Sequence, residues 1–226
     1  MKSCVIYVEN HKRSIAQARR CIESCKKFGY DITTLKGSTP QNMKIPFEYP
    51  EIKDGRVRIF KRENPKKYLA KKACFSNHIR IWKKVIEVGE PILVLEHDAI
   101  AIKEWDEPEY KEILTLNMQS AMSRSIAHAV KPPDAAYSKE GIQDIKTSGS
   151  KLIYNRQNHY KGSFMMPGTA AYVINPAGAI KLLKALVEDG WEQSDYFMNT
   201  YNVDIKYSVP DYFKLDINNL HLSHGL

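Results

Sequence analysis

The chain opens on an apolar stretch, "CVIYV" (Cys4 to Val8), with the length and β-branched content of a buried strand. Behind it Ile15, Ala18, Ile22 and Cys25 recur at helical spacing, with Ser14 placed to cap the helix and Gly29 to end it. "DITTL" (Asp31 to Leu35) reads as a second strand, so the opening residues predict a βαβ unit and a parallel sheet. Pro and Gly crowd residues 37–55, which read as loop. Phe75, Ile79, Trp82 and Ile86 then mark a helix face closed by Gly89 and Pro91, and Ile92 to Leu95 form a uniformly apolar strand. "TAAYVI" (Thr169 to Ile174) is a further strand. Asn175 caps the helix after it, Pro176 occupies the first turn, and Ala179, Leu182, Leu183, Leu186 and Val187 share one face. Residues 103–168 show little periodicity, and "SGSKLIYNRQNHYKGSFMMPG" reads as mobile or ligand-facing loop. The pattern as a whole predicts an α/β fold, and the length allows one sizeable domain over 1–226 or two small ones.

Composition narrows the class. The 226 residues are 43% hydrophobic and 27% charged, an ordinary globular balance with enough chain for one sizeable core. No apolar run approaches the ~20 residues of a membrane span. The apolar start before Glu9 is too short for a secretory signal, so a cytoplasmic protein is expected. The four cysteines, Cys4, Cys21, Cys25 and Cys74, form no CxxC and no zinc-like pairing with histidines; reduced thiols are expected, with Cys4, Cys21 and Cys25 in the core. Net charge is +8, unevenly spread: from Lys53 to Lys84, twelve Lys/Arg stand against Asp54 and Glu63, a local +10. Such a run is either a solvated face or a surface for a polyanion.

The apolar strand ends abruptly in Glu96, His97 and Asp98. Ligands of open α/β sheets bind outside the carboxyl ends of the strands. The alternation lets both carboxylates point to one side, where they can hold a hard divalent cation and through it a diphosphate. The plainer alternative is an acidic surface turn.

The stretch "ACFSNHIRIWKKVIEVGEPILVLEHDAI" resembles the signature of family 25 glycosyltransferases, with Cys74, His78, Trp82, Leu95, Glu96 and Asp98 on its motif positions. "GTAAYVINPAGAIKLL", "QSDYFMN" and "VPDYF…LSH" resemble later segments of the same family. Ala73, Asn77 and His97 depart from it, standing where the family has glycine, serine and the middle aspartate, and His97 removes one negative charge near the metal.

The resemblance implies a GT-A-type Rossmann-like domain with a mainly parallel central sheet flanked by helices. Residues 1–100 would form the nucleotide-sugar half and 101–226 the acceptor half. It implies metal-dependent, inverting hexosyl or pentosyl transfer from a nucleotide-diphosphate donor, a UDP-sugar foremost, to a hydroxyl. Mn²⁺ or Mg²⁺ would be held by Asp98, by Glu96 (which alternatively meets the ribose) and by a tail histidine, His224 in preference to His221. Donor contacts would come from Tyr7, Val8, Glu9, Glu96, His78, Gly168 and Thr169. Asp195 matches the position of the catalytic base, with Glu192 as the neighbour that can replace it. Other readings stay open: Asp195 as a charge at a helix N-terminus, His78 as a structural histidine, Gly168 and Thr169 as a simple turn, and the tail as disordered. The acceptor is a glycan, a protein or a modified base in DNA. The basic segment 53–84 favours an anionic one, and "KLIYNRQNHYKG" interleaves aromatics with cations. The rival is a non-catalytic nucleic-acid-binding α/β protein with a decayed donor site, which explains the charge but not Glu96, Asp98 and Asp195.

Overall fold

The computed structural model describes residues 1–43, 48–53, 55–118, 139–145, 160, 162–166 and 168–216. β1 (Lys2–Tyr7), α1 (Lys12–Lys27) and β2 (Thr33–Lys36) form the expected βαβ unit, β1 and β2 parallel with Cys4 opposite Thr33. The cap of α1 is not the expected one. His11 stands at the N-cap, its Nδ1 accepting the Ser14 N–H at 3.2 Å. Ser14 is buried instead, and its Oγ accepts the N–H of Val8 at 2.9 Å, which fastens α1 to the carboxyl end of β1.

The helix expected around Phe75 is longer than its apolar face. α2 (Arg56–Glu63) and α3 (Pro65–Val88) are separated by Asn64, whose Oδ1 caps α3 by accepting the Lys67 N–H at 3.0 Å. Pro65 occupies the first turn of α3, where a missing N–H costs nothing. Gly89, at φ +68°, ends α3 in the left-handed region.

The remaining elements are β3 (Ile92–Glu96), β4 (Ala99–Ala101), β5 (Ile113–Thr115), β6 (Gly141–Asp144), β7 (Ala171–Ile174), α4 (Pro176–Asp189), α5 (Ser194–Phe197), β8 (Ile205–Val209) and β9 (Phe213–Leu215). One sheet runs β2-β1-β3-β7-β5-β8-β6, and β4 pairs with β9 in a separate ribbon. β7 is antiparallel to β3 and β5, and β6 to β8; the other five strands share one direction. The result is the α/β architecture expected, mainly parallel and flanked by helices. Asn175 caps α4 as predicted, accepting the Gly178 N–H at 3.0 Å, but Val187 is 68% exposed and lies off the buried face.

The sheet separates two apolar layers. Along β3, Ile92 and Val94 face α3 with Trp82, Phe75 and Tyr172, whereas Leu93 and Leu95 face α1 with Cys21 and Cys25. This period-two partition leaves Glu96 on the α3 side of the strand end. All four cysteines are free; Cys21 and Cys25 are buried, Cys4 and Cys74 half-buried. No helix among the described residues is long and apolar enough to cross a membrane.

Candidate functional site

β1 and β3 are parallel neighbours with Ile6 opposite Glu96, so their carboxyl ends lie side by side. β7 runs the other way beside β3, and its lead-in arrives at the same edge. There the Glu96 N–H donates to Ala170 O at 2.8 Å, and the Thr169 hydroxyl donates to Glu96 Oε1. Gly168, at φ +85°, makes the turn into β7 in a conformation that favours glycine. From α3 below, His78 Nε2 comes within 3.7 Å of Glu96 Oε1. His78 is fully buried, its Nδ1 is 2.8 Å from the Tyr172 hydroxyl, and Trp82 Nε1 donates to that hydroxyl at 3.3 Å. Glu96, His78 and Thr169, three of the predicted donor contacts, thus meet at one point from distant parts of the chain.

The electrostatics of this cluster are set by a contest. Burial pushes the Glu96 carboxyl up, but His78, the Thr169 hydroxyl and His97 outweigh it and hold its pKa at about 2. Burial likewise disfavours a charged His78, yet Tyr172, Cys74 and Glu96 hold its pKa well above the ordinary value. Glu96 is therefore a carboxylate at neutral pH, with an imidazolium behind it.

Tyr172 falls on the tyrosine of the family-like segment "GTAAYVI" but received no role from the sequence, because it reads there as one more residue of a buried strand. Its hydroxyl carries two buried contacts. Tyr172→Phe should leave His78 Nδ1 and the Trp82 N–H without their partner and destabilise the fold by about 2 kcal/mol or more. A urea midpoint that does not move would show the hydroxyl to be dispensable.

Asp98 is half-buried in the turn between β3 and β4, where its C=O accepts the Asp216 N–H at 2.9 Å. Its charge reaches α1. The Cys21 thiol is held above its usual range by its hydrogen bond with Cys25, by burial and by charges that include Asp98. Glu96 and Asp98 thus have different side-chain neighbours. At the end of β1, Tyr7 O accepts the Gly37 N–H at 2.7 Å, and exposed Glu9 pairs with Lys36 at 2.5 Å. Val8 is held by Ser14. Asn77 Oδ1 accepts the Ser38 N–H at 2.7 Å, so this departure from the family pattern ties α3 to the loop after β2. His221, His224 and most of the "KLIYNRQNHYKG" segment lie outside the described residues.

Asp195 and Glu192 lie beside a second helix terminus. α5 is packed on α3 through Phe197, whose ring is 5.0 Å from Phe75 and 5.9 Å from Trp82. Asp195 is half-buried and its Oδ1 accepts Gln193 Nε2 at 2.6 Å. Glu192 is fully buried and its Oε1 accepts the N–H groups of Val57 (3.2 Å) and Gln193 (2.7 Å). It caps α2 from across the chain, and a Cβ at Gly55 would collide with its Oε2. Burial pushes the Glu192 pKa up to about 7 against the pull of the backbone N–H groups of Gln193, Arg56 and Val57, and Asp195 adds to the rise.

Arg56 lies 4.7 Å over the Tyr196 ring and donates to its hydroxyl, so the first turn of basic α2 abuts α5. Beyond it Arg58, Lys61, Arg62, Lys66, Lys83 and Lys84 are exposed, with Lys61 paired to Glu51 at 2.7 Å and Lys84 to Glu87 at 3.0 Å.

A family model described as glycosyltransferase family 25 (LPS biosynthesis protein) matches residues 6–198 of the 226. The matched span contains every predicted site residue except the tail histidines. No curated protein matches the chain.

Proposed function

We propose that this chain, which belongs to glycosyltransferase family 25 and is a sugar-transferring enzyme, takes its sugar from a nucleotide diphosphate, UDP foremost, and passes it to an acceptor hydroxyl with inversion. The observation that carries the reading is the convergence of Glu96, Thr169 and His78 at the open carboxyl ends of β1 and β3. A Glu96 ionised at neutral pH is an acceptor for ribose hydroxyls, and Tyr7, Val8 and Glu9 supply the neighbouring edge for the base. Gly168 lets the backbone approach the sugar. Asp195 takes the acceptor proton as the new bond forms at the anomeric carbon and the bond to the diphosphate oxygen breaks, the electron pair leaving on phosphate. Glu192 is committed to the N-terminus of α2 and supports Asp195 rather than replacing it.

A divalent cation, Mn²⁺ or Mg²⁺, neutralises charge on a leaving diphosphate. Asp98 is the strand-end carboxylate that would hold such an ion, completed by water and phosphate oxygens, because Glu96 lies on the α3 side of β3 with His78 whereas the charge of Asp98 reaches Cys21 of α1. The contact of α2 with α5 through Arg56 and Tyr196 brings the local surplus of positive charge up to the helix that carries Asp195. That favours an acceptor bearing negative charge, a phosphorylated glycan or DNA. The same face favours, as the second reading, a protein that binds nucleic acid without catalysis.

The two separate on one experiment with the full chain. A panel of nucleotide sugars with Mn²⁺, with Mg²⁺ or with chelator should contain a donor that raises thermal stability, by about 2.7 kcal/mol at a hundred times its Kd. The same donor should slowly release nucleoside diphosphate without acceptor. A chain that binds DNA yet neither binds nor hydrolyses any donor sinks the transferase reading and leaves the binding one.

A further inference from the structure

Cys74 and His78 stand one helical turn apart on α3, and Glu96 closes on them from β3. A thiol sulfur, an imidazole nitrogen and a carboxylate oxygen from these residues lie within 4.8 Å of one another. We propose that Cys74, His78 and Glu96 hold a borderline transition-metal ion, Zn²⁺ in first place, at a site separate from the diphosphate cation proposed above. This inference goes beyond the transferase reading and does not depend on it.

The donor set decides the metal. Sulfur and imidazole ligands select Zn²⁺ and its neighbours, whereas Mg²⁺ takes oxygen alone. Bonds of about 2.0 Å to nitrogen and oxygen in a tetrahedral shell place those two atoms about 3.3 Å apart. The observed 3.7 Å between His78 Nε2 and Glu96 Oε1 needs only a few tenths of an ångström of closure.

The surroundings of His78 are those of a metal ligand. A ligating imidazole is oriented by a hydrogen bond at its other nitrogen, and Nδ1 lies 2.8 Å from the Tyr172 hydroxyl. The hydroxyl oxygen can accept from both Nδ1–H and Trp82 Nε1–H, so the proton that His78 carries at Nε2 in the metal-free chain is the one a metal ion would displace. Nε2 is buried and makes no hydrogen bond among the described residues. A bare nitrogen lone pair facing a carboxylate and a sulfur is repulsive unless positive charge lies between them. A proton serves one pair of these atoms; a metal ion serves all three. The side chain of Glu96 is 25% exposed and Cys74 is half-buried, so an ion can enter from the strand-end edge and keep a fourth position open to water.

Co²⁺ is the probe, added alone to the full chain after chelator treatment and desalting. The expected result is one Co²⁺ per chain, with tetrahedral visible bands and the strong near-ultraviolet absorption of a cobalt–thiolate bond. Cys74→Ser should abolish the ultraviolet band, and Cys4→Ser should leave it. Tyr172→Phe, which removes the orienting hydrogen bond, should weaken Co²⁺ binding about 10-fold. On the unaltered chain, Zn²⁺ should slow alkylation of Cys74 more than that of Cys4, a readout that needs no variant to fold. Co²⁺ bound without the thiolate band, a band that survives Cys74→Ser, or Cys74 alkylated equally fast with and without Zn²⁺ would each overturn the site. Donor binding and turnover with Mn²⁺ or Mg²⁺ are read separately, so either proposal can fail while the other stands.

Discussion

Asp195→Asn is expected to lower sugar transfer by ~10²-fold or more while leaving donor affinity nearly intact, the scale of losing a general base. In barrier height that is about 2.7 kcal/mol. The change is nearly isosteric, and the amide oxygen can still accept Gln193 Nε2, now 2.6 Å from Oδ1. α5 stays anchored through Phe197 on Phe75 and Trp82. What disappears is the basic oxygen. Asp195 is half-exposed and can reach an acceptor, whereas Glu192 is fully buried against backbone N–H groups. Turnover should therefore respond to Asp195→Asn and much less to Glu192→Gln. Loss of donor affinity in step with turnover would make Asp195 a donor ligand, and unchanged turnover would remove it from the chemistry.

The parts of this fold that were legible in the sequence each bury one face and end at a distinctive residue. β1, the body of α1, β3, β7 and α4 have apolar runs or periods long enough to read, bounded by Gly29, Gly89 and Asn175. The first turns of α3 were hidden because lysines 66, 67, 71 and 72 blur the apolar period, although Asn64 and Pro65 already spell a helix start. β5 and β9 have three residues each and β6 four, too short for any period to show. Ser14 illustrates a different failure: its type favours an N-cap, but its hydroxyl is taken by Val8 and the role passes to His11. In the site, Glu96 was legible from the strand-end rule, and His78 and Thr169 from family motifs. Cys74 and His78 were missed as a pair: the cysteines read as having no zinc-like pairing with histidines, because one Cys and one His a turn apart on a helix are not a ligand set until Glu96 joins them from another element. Glu192 is the extreme case, since the N–H groups it caps lie on a helix 135 residues earlier in the chain.

That long-range cap leads to a stability that depends on pH. Glu192 has a folded pKa of about 7 against an ordinary 4.5, so the folded state binds its proton more tightly than the unfolded chain. The sign follows directly. The stabilisation from protonating Glu192 is fully present below about 4.5 and is lost as pH rises through about 7. A shift of this size corresponds to roughly 3 kcal/mol, most of it developed between pH 8 and pH 5. Below neutrality a neutral carboxyl still accepts the Val57 and Gln193 N–H groups through Oε1, while the cost of a buried charge is gone. Above it, the charge persists in the interior, helped by the positive end of α2 but not enough to offset burial. Glu192→Gln keeps an acceptor for the same N–H groups and cannot titrate. Unfolding free energies from urea titrations at pH 5 and pH 8 should therefore show the parent gaining roughly 2–3 kcal/mol relative to Glu192→Gln on going to the lower pH. Other titrating groups are common to both proteins and cancel in that difference. A parent-minus-variant difference that stays flat across this range would mean that Glu192 is ionised in the fold at both ends, and that α2 is capped by a carboxylate whose charge the helix fully compensates.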